Sequence, residues 1–255
     1  MTVLNNKLYV LRERVLERAG WFMLDVYSTE GDVWQLEKMV TVTGEDLRDV
    51  ASCVKHKCLY VCDFSAKSIP KLSLDGAEVS RWNVNEACVG ISVTSDSCSL
   101  LLTSGESNKV LELSGENGQR LRDIRLPEEI QSPRHAVLLS TGELLVSHGE
   151  HRVCKVSTDG STVIHSFGSE VGSQMEKLSL PCQLAVDKDG FVFVADCWNN
   201  RLVLLSPSLE FVREIKNLGD CPLGECPRRL FLDHFHRMKL RLYVGLEDKL
   251  TIVEL

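Results

Sequence analysis

Asp196, Asn199, Asn200 and Arg201 stand within the run ADCWNNR at 195–201. A carboxylate, two amides and a guanidinium this close together could form the polar centre of an active site. The same groups also suit a turn, in which Asp and Asn satisfy backbone groups and Arg201 pairs with a nearby carboxylate. A structural turn network is the expected role of the four, with a ligand site as the alternative. Trp198, inside the same run, can either cover a junction between repeat units or offer a contact surface.

Cys53, His56, Cys58 and Cys62 are the nearest approach to a metal cluster. Cys58 and Cys62 are four apart in a predicted strand, so they share a face yet stand too far apart for one ion, and the tight Cys-x-x-Cys turn is missing. CPLGEC, residues 221–226, places two thiols across a Pro/Gly turn and can form a disulfide under oxidising conditions. His148 and His151 flank a Gly149–Glu150 turn. However, His56, His135, His148, His151, His165, His234 and His236 do not recur at one repeat position, so convergence on a single zinc ion is not expected. A GxSxG elbow and a phosphate-binding Gly–Lys loop are both absent. The expectation is a non-enzyme with no catalytic residue, no cofactor and no metal.

CPRRLFLDHFHRMKLR, residues 226–241, is the main exception to an acidic balance. Arg228, Arg229 and Arg237 accompany His234, Phe235 and His236, together with Lys239, Arg241 and Phe231. Such a mixture can neutralise phosphate and stack bases. RLFLD is equally a strand, whose flanking charges would form a solvated face or a protein contact. With Trp198, these residues make up the expected interaction surface.

The elements that must position these groups come from the rest of the chain. Its 255 residues are 44% hydrophobic and 25% charged, which suits a packed core. The formal charge of −7 argues against bulk attraction to nucleic acid or an anionic membrane. No apolar stretch approaches a membrane span, and the opening lacks the apolar block of a secretion signal. The expectation is therefore a cytoplasmic, monomeric protein whose ten cysteines are reduced.

Short apolar runs recur along the chain. Taking Val10, Val61, Leu102, Val146, Val194 and Val244 as markers, the intervals are 51, 41, 44, 48 and 50 residues. The best unit divides into QLAVD, FVFVAD, RLVLLS and EFVREI, and Asp-Gly and Asn-Gly pairs fall between the runs. No amphipathic run is long enough for crossover helices. This periodicity predicts an all-β chain, a six-bladed β-propeller, as one domain over 1–255. The approximate blades are 1–44, 45–84, 85–130, 131–178, 179–223 and 224–255, with an incomplete terminal blade.

Within 181–215, Pro181, Asp187, Asp189, Gly190, Ala195, Asp196, Asn199, Asn200 and Arg201 follow one another in a pattern that resembles the NHL repeat. Other units keep less of it: Asn108 and Lys109, Arg152, and Asp63. The chain is similar to the C-terminal NHL propellers of tripartite-motif (TRIM-NHL) ubiquitin-ligase proteins and to uncharacterised invertebrate relatives. The resemblance implies a scaffold that binds protein, linked to ubiquitination as a substrate-recruiting adaptor, or else RNA. It does not imply ligase activity, because the ordered Cys/His pairs of a RING are missing. NHL-type rings also occur in a zinc-dependent lyase that cleaves hydroxyglycine peptides, a minor alternative.

Overall fold

The structure is a computed structural model that describes residues 1–13, 21–29, 35–169, 171–172, 174–218, 221–222, 226–233, 241–245 and 250–254. The chain divides into two compact units, Met1–Asp123 and Ile124–Leu255.

The first unit holds three antiparallel sheets, each a meander whose strands pair in chain order. They are β1 (Thr2–Leu4), β2 (Lys7–Glu13), β3 (Trp21–Ser28) and β4 (Gln35–Thr43); β5 (Leu47–Cys53), β6 (Cys58–Asp63), β7 (Ser68–Ser73) and β8 (Glu78–Asn83); and β9 (Cys88–Val93), β10 (Ser99–Ser104), β11 (Lys109–Ser114) and β12 (Arg120–Arg125). The second unit repeats the plan. Its sheets are β13 (Pro133–Leu138), β14 (Leu144–His148), β15 (Arg152–Val156) and β16 (Val163–Phe167), followed by β17 (Pro181–Val186), β18 (Val192–Asp196), β19 (Arg201–Leu205) and β20 (Phe211–Ile215). A short pair, β21 (Asn217–Leu218) and β22 (Cys221–Pro222), precedes a three-stranded sheet of β23 (Arg229–Asp233), β24 (Arg241–Gly245) and β25 (Leu250–Glu254).

Composition sets which strand lies deepest. The second strands of the later sheets, such as SLLLTS and VFVAD, are nearly continuous apolar runs and are buried along their whole length. The fourth strands, such as EVSRWN and RLRDIR, carry several charges and lie mostly in solvent. Each sheet thus runs from a buried to an exposed side. Leu100, Leu101 and Leu102 are all fully buried, each stabilising the fold by roughly 1.5–3 kcal/mol. The markers Val61, Leu102, Val146, Val194 and Val244 are likewise fully buried. Val10 departs from the pattern: it is half-buried, and Leu8 and Tyr9 beside it take the interior positions.

The cores lie between neighbouring sheets. In the first unit, Tyr9, Leu24, Val50 and Leu59 pack between the first and second sheets, and Tyr60, Ile69, Ile91 and Leu102 between the second and third. In the second unit, Val153, Leu184 and Val203 share one core, and Phe193, Leu202, Leu230 and Leu242 share the next.

In the second to fifth sheets, a register shift falls at the pairing of the first and second strands. Such a bulge re-aims side chains. In the second, fourth and fifth sheets it accompanies a cross-sheet contact from the third residue of the first strand. Ile91 donates its backbone N–H to Asp49 Oδ2 at 3.0 Å, Leu184 donates to His135 Nδ1 at 3.4 Å, and Leu230 donates to Gln183 Oε1 at 2.7 Å.

The cysteines depart from the reduced state expected of them. Cys62 is linked to Cys88 and Cys197 to Cys226, with Cα–Cα distances of 5.7 and 4.4 Å. Both links join neighbouring sheets or their approaches, a proximity that linear spacing does not reveal. Cys226 therefore pairs with Cys197, not with Cys221 across the CPLGEC turn. Cys53, Cys58, Cys98, Cys154 and Cys182 are free thiols.

Candidate functional site

The four polar residues of the ADCWNNR run occupy a position that recurs from sheet to sheet. The last residue of the second strand pairs with the first of the third: Asp63 with Ser68, Ser104 with Lys109, His148 with Arg152, and Asp196 with Arg201. The residue just before each third strand is left-handed, with φ of 49° at Lys67, 50° at Asn108, 57° at His151 and 51° at Asn200. Asn tolerates that conformation at little cost, because its short amide bonds locally.

In the fifth sheet this hairpin end is saturated. Asp196 Oδ1 accepts the Ser179 N–H at 2.6 Å, while Oδ2 accepts Asn199 Nδ2 at 2.8 Å and Arg201 Nε at 2.7 Å. Arg201 also donates to Glu214 Oε2 at 2.9 Å and to the carbonyls of Gln174 and Lys177 at 3.1 and 2.5 Å. Asn199 donates to the Gly172 carbonyl at 2.7 Å. Asp196 and Arg201 are both almost completely buried. Burial pushes the Asp196 carboxyl above its usual range, against the pull of Ser179, Asn199 and Arg201. The network ties the segment before β17 to the β18–β19 hairpin.

The equivalent position in the fourth sheet holds different chemistry. His148 Nε2 lies 3.3 Å from Cys154 Sγ, a base and a thiol at hydrogen-bond distance. Burial holds His148 down at about 4, aided by the charge of Arg152, and pushes the Cys154 thiol up to about 12. An activated cysteine needs the opposite shift and access to solvent, so this pair is a neutral packing contact.

Trp198 projects from the hairpin end that the network fixes. It sits on a 3₁₀ turn, η1 (Cys197–Asn199), whose first residue, Cys197, is buried and linked to Cys226. Trp198 itself is 63% exposed. Its backbone N–H donates to the Ser179 carbonyl at 3.0 Å, and its ring centroid lies 6.4 Å from that of His151. His151 Nδ1 accepts the Leu180 N–H at 3.0 Å, which assigns the ring proton of the neutral form to Nε2.

Three arginines lie at this same end of the second unit. Arg134 is the second residue of β13 and Cys182 the second of β17, while Arg229 opens β23 and Arg228 immediately precedes it. Strands β13, β17 and β23 are successive neighbours, and the cross-sheet bonds of His135 and Gln183 hold them together at this end. Burial raises the Cys182 thiol, and Arg134, Arg229 and Arg228 each oppose that rise. All three charges thus act on one thiol. The Cys197–Cys226 link brings the second residue before Arg228 beside Trp198.

Among the expected surface residues, Trp198, Arg228 and Arg229 thus share one end of the second unit with Asp196, Asn199, Asn200 and Arg201. His234, Phe235, His236 and Arg237 lie outside the described residues, as does Lys239. Arg241 is buried and does not extend the basic surface. Arg134 was not read from the sequence. Its signal was the alignment of PRHAVL with PCQLAV, which puts Arg134 where Cys182 stands.

Among the described residues, no group of three or more His, Cys, Asp or Glu is arranged to hold a metal ion. Cys62 is bound to Cys88, and Cys53 Sγ lies 3.3 Å from His56 Nδ1. Among those same residues, no helix is long and apolar enough to cross a membrane.

No family model matches the chain, and no curated protein matches it. Solved structures do. A protein of unknown function from Bacteroides caccae is 15% identical, with a TM-score of 0.69, over 92% of this chain and 87% of that one. A catalytically inactive virginiamycin B lyase from Staphylococcus aureus, with quinupristin, is 13% identical with a TM-score of 0.61, over 97% and 88%. The WD40 β-propeller domain of Doa1 is 13% identical with a TM-score of 0.59, over 92% and 79%. At these identities the likeness shows the fold, which with six meander sheets is an all-β, six-bladed β-propeller.

Proposed function

We propose that this chain is a non-enzymatic protein-interaction scaffold whose contact surface includes Trp198, Arg134, Arg228 and Arg229. The observation that carries the reading is the exposed Trp198 ring on a backbone fixed from both sides. The Asp196–Arg201 network holds one side of η1, and the link to Cys226 holds the other. An aromatic side chain presented on a rigid support loses little freedom on binding and buries a large area, which favours it as an interface anchor.

The finer reading is an NHL-type propeller that recruits substrates for ubiquitination by a ligase on another chain. The Pro181–Arg201 pattern supports it. RNA binding is the second reading, and Arg228 beside an exposed aromatic favours it. The test is quantitative capture of partners by the intact chain and by Trp198→Ala. Selective capture lost in the variant, with unchanged thermal unfolding, supports the scaffold. Capture that survives Trp198→Ala combined with charge removal at the three arginines overturns it.

A further inference from the structure

We infer that the end of the β14–β15 hairpin binds a small carboxylate from outside the chain, held between the Arg152 guanidinium and Nδ1 of His148. The inference draws on none of the residues of the Trp198 surface. It starts from a place at which three other sheets carry an internal ion pair. In the fifth sheet Arg201 opens the third strand, Asp196 faces it from the end of the second, and Glu214 stands opposite the third residue, Val203. Both carboxylates bond the guanidinium, at 2.7 and 2.9 Å. The second sheet exchanges the charges between the same places: Arg81, opposite Pro70, reaches Asp63 at 3.1 Å. In the third, Lys109 opens the third strand and is paired with Glu86 and Asp123.

The fourth sheet keeps the cation and loses both acids. Arg152 opens β15, His148 stands where Asp196 does, and Ser166, opposite Cys154, stands where Glu214 does. Arg152 is half-buried, and its Nε is buried with no hydrogen-bond partner among the described residues. Nδ1 of the completely buried His148 is in the same condition. Two buried polar groups left unmet are costly, and cross-strand pairing puts their residues side by side.

The Cys154 thiol faces the other ring nitrogen, Nε2, at 3.3 Å. When the thiol donates there, Nδ1 carries the ring proton and becomes a donor. A carboxylate with one oxygen on Arg152 and the other on that N–H then meets both groups, as the carboxylate of Asp196 meets Arg201 in the fifth sheet. A phosphate presents more oxygens than these groups can satisfy, so the planar acid is the better fit. Arg152 is only half-buried, which leaves the ligand a route from solvent.

The test is urea unfolding of the full chain near neutral pH with sodium acetate as the probe, ionic strength being held constant with sodium chloride. Wild type is stabilised saturably as acetate replaces chloride. Arg152→Gln needs roughly tenfold or more acetate for the same shift. Ser166→Glu restores an acid from an exposed position; it keeps the fold and abolishes the acetate response, so it decides the matter if Arg152→Gln unfolds early. An absence of saturable stabilisation in wild type overturns the inference, as does an undiminished response in folded Arg152→Gln or in Ser166→Glu. The tripeptide Gly-Gly-Leu with a free C-terminus is compared in the same assay. If it saturates at lower concentration than acetate, the carboxylate comes from a polypeptide and the assignment to a small ligand falls.

Discussion

Gln183 reaches from β17 to β23, where its Oε1 accepts the backbone N–H of Leu230 at 2.7 Å. Asp49 makes the same contact with Ile91 in the first unit, and His135 makes it with Leu184. An amide, a carboxylate and an imidazole share no class, yet each offers one acceptor at the third position of a first strand. The equivalent residue in β9 is Gly90, which has no side chain to offer.

Gln183→Leu removes that acceptor and leaves the buried Leu230 N–H without it. The expected loss is about 1–3 kcal/mol, measured by urea unfolding with the slope unchanged. Gln183→Glu keeps an acceptor oxygen and is expected to lose less. If Gln183→Leu unfolds at the wild-type urea concentration, the contact contributes nothing and the sheets are held by apolar packing alone.

Asp196→Ala leaves the Arg201 guanidinium buried without its main counter-charge. Breaking a buried ion pair from one side costs about 3–5 kcal/mol, a large part of a typical domain's stability. Arg201→Lys is expected to be nearly as damaging, because one ammonium cannot serve a carboxylate, Glu214 and two carbonyls in the guanidinium's directions. Denaturant titration of both variants checks this, and a Lys variant as stable as wild type would sink the geometric account.

His148 gives the stability a pH dependence of definite sign. Its folded pKa is about 4 against 6.5 in the unfolded chain, so the unfolded state takes up the proton first. Stability from this group is complete above about pH 6.5 and is lost as pH falls toward 4. The full loss is about 3 kcal/mol. Arg152 and His151 add to the burial effect, and Cys154 faces the ring as a neutral thiol. His148→Gln should flatten the slope of unfolding free energy between pH 6.5 and 4. An equally steep slope in that variant would assign the effect elsewhere.

The repeat was legible because burial in each sheet follows strand order, and runs such as SLLLTS and RLRDIR carry that order in their composition. The turn network was legible for a similar reason: Asp196 to Arg201 are local in sequence, and their hydrogen-bonding types announce a turn. What linear order hides is proximity between sheets. Arg134 and Arg228 are far apart in the chain, and only the adjacency of β13, β17 and β23 brings them to one end of the second unit. The Cys197–Cys226 link is hidden in the same way, and CPLGEC offered a nearer but wrong partner. Leu209 shows a different limit. It holds φ 62° at the reversal where Gly160 holds 81°, and its burial in the β17–β20 core keeps a leucine where the conformation favours glycine.

The Cys197–Cys226 link closes a segment whose ends are 29 residues apart. Removing such a closure frees the unfolded chain and costs on the order of 3 kcal/mol. Cys197→Ser and Cys226→Ser are therefore expected to destabilise by similar amounts, and the double variant by no more than either alone, because the two side chains act as one group. A reducing agent should still lower the stability of either variant, through the separate Cys62–Cys88 link in the first unit. The same substitutions release one support of η1, so partner capture that depends on Trp198 should weaken in the Cys226→Ser variant. Free thiols at both positions in the purified, air-exposed protein, found by alkylation and mass spectrometry, would refute the link and remove that support from the Trp198 platform.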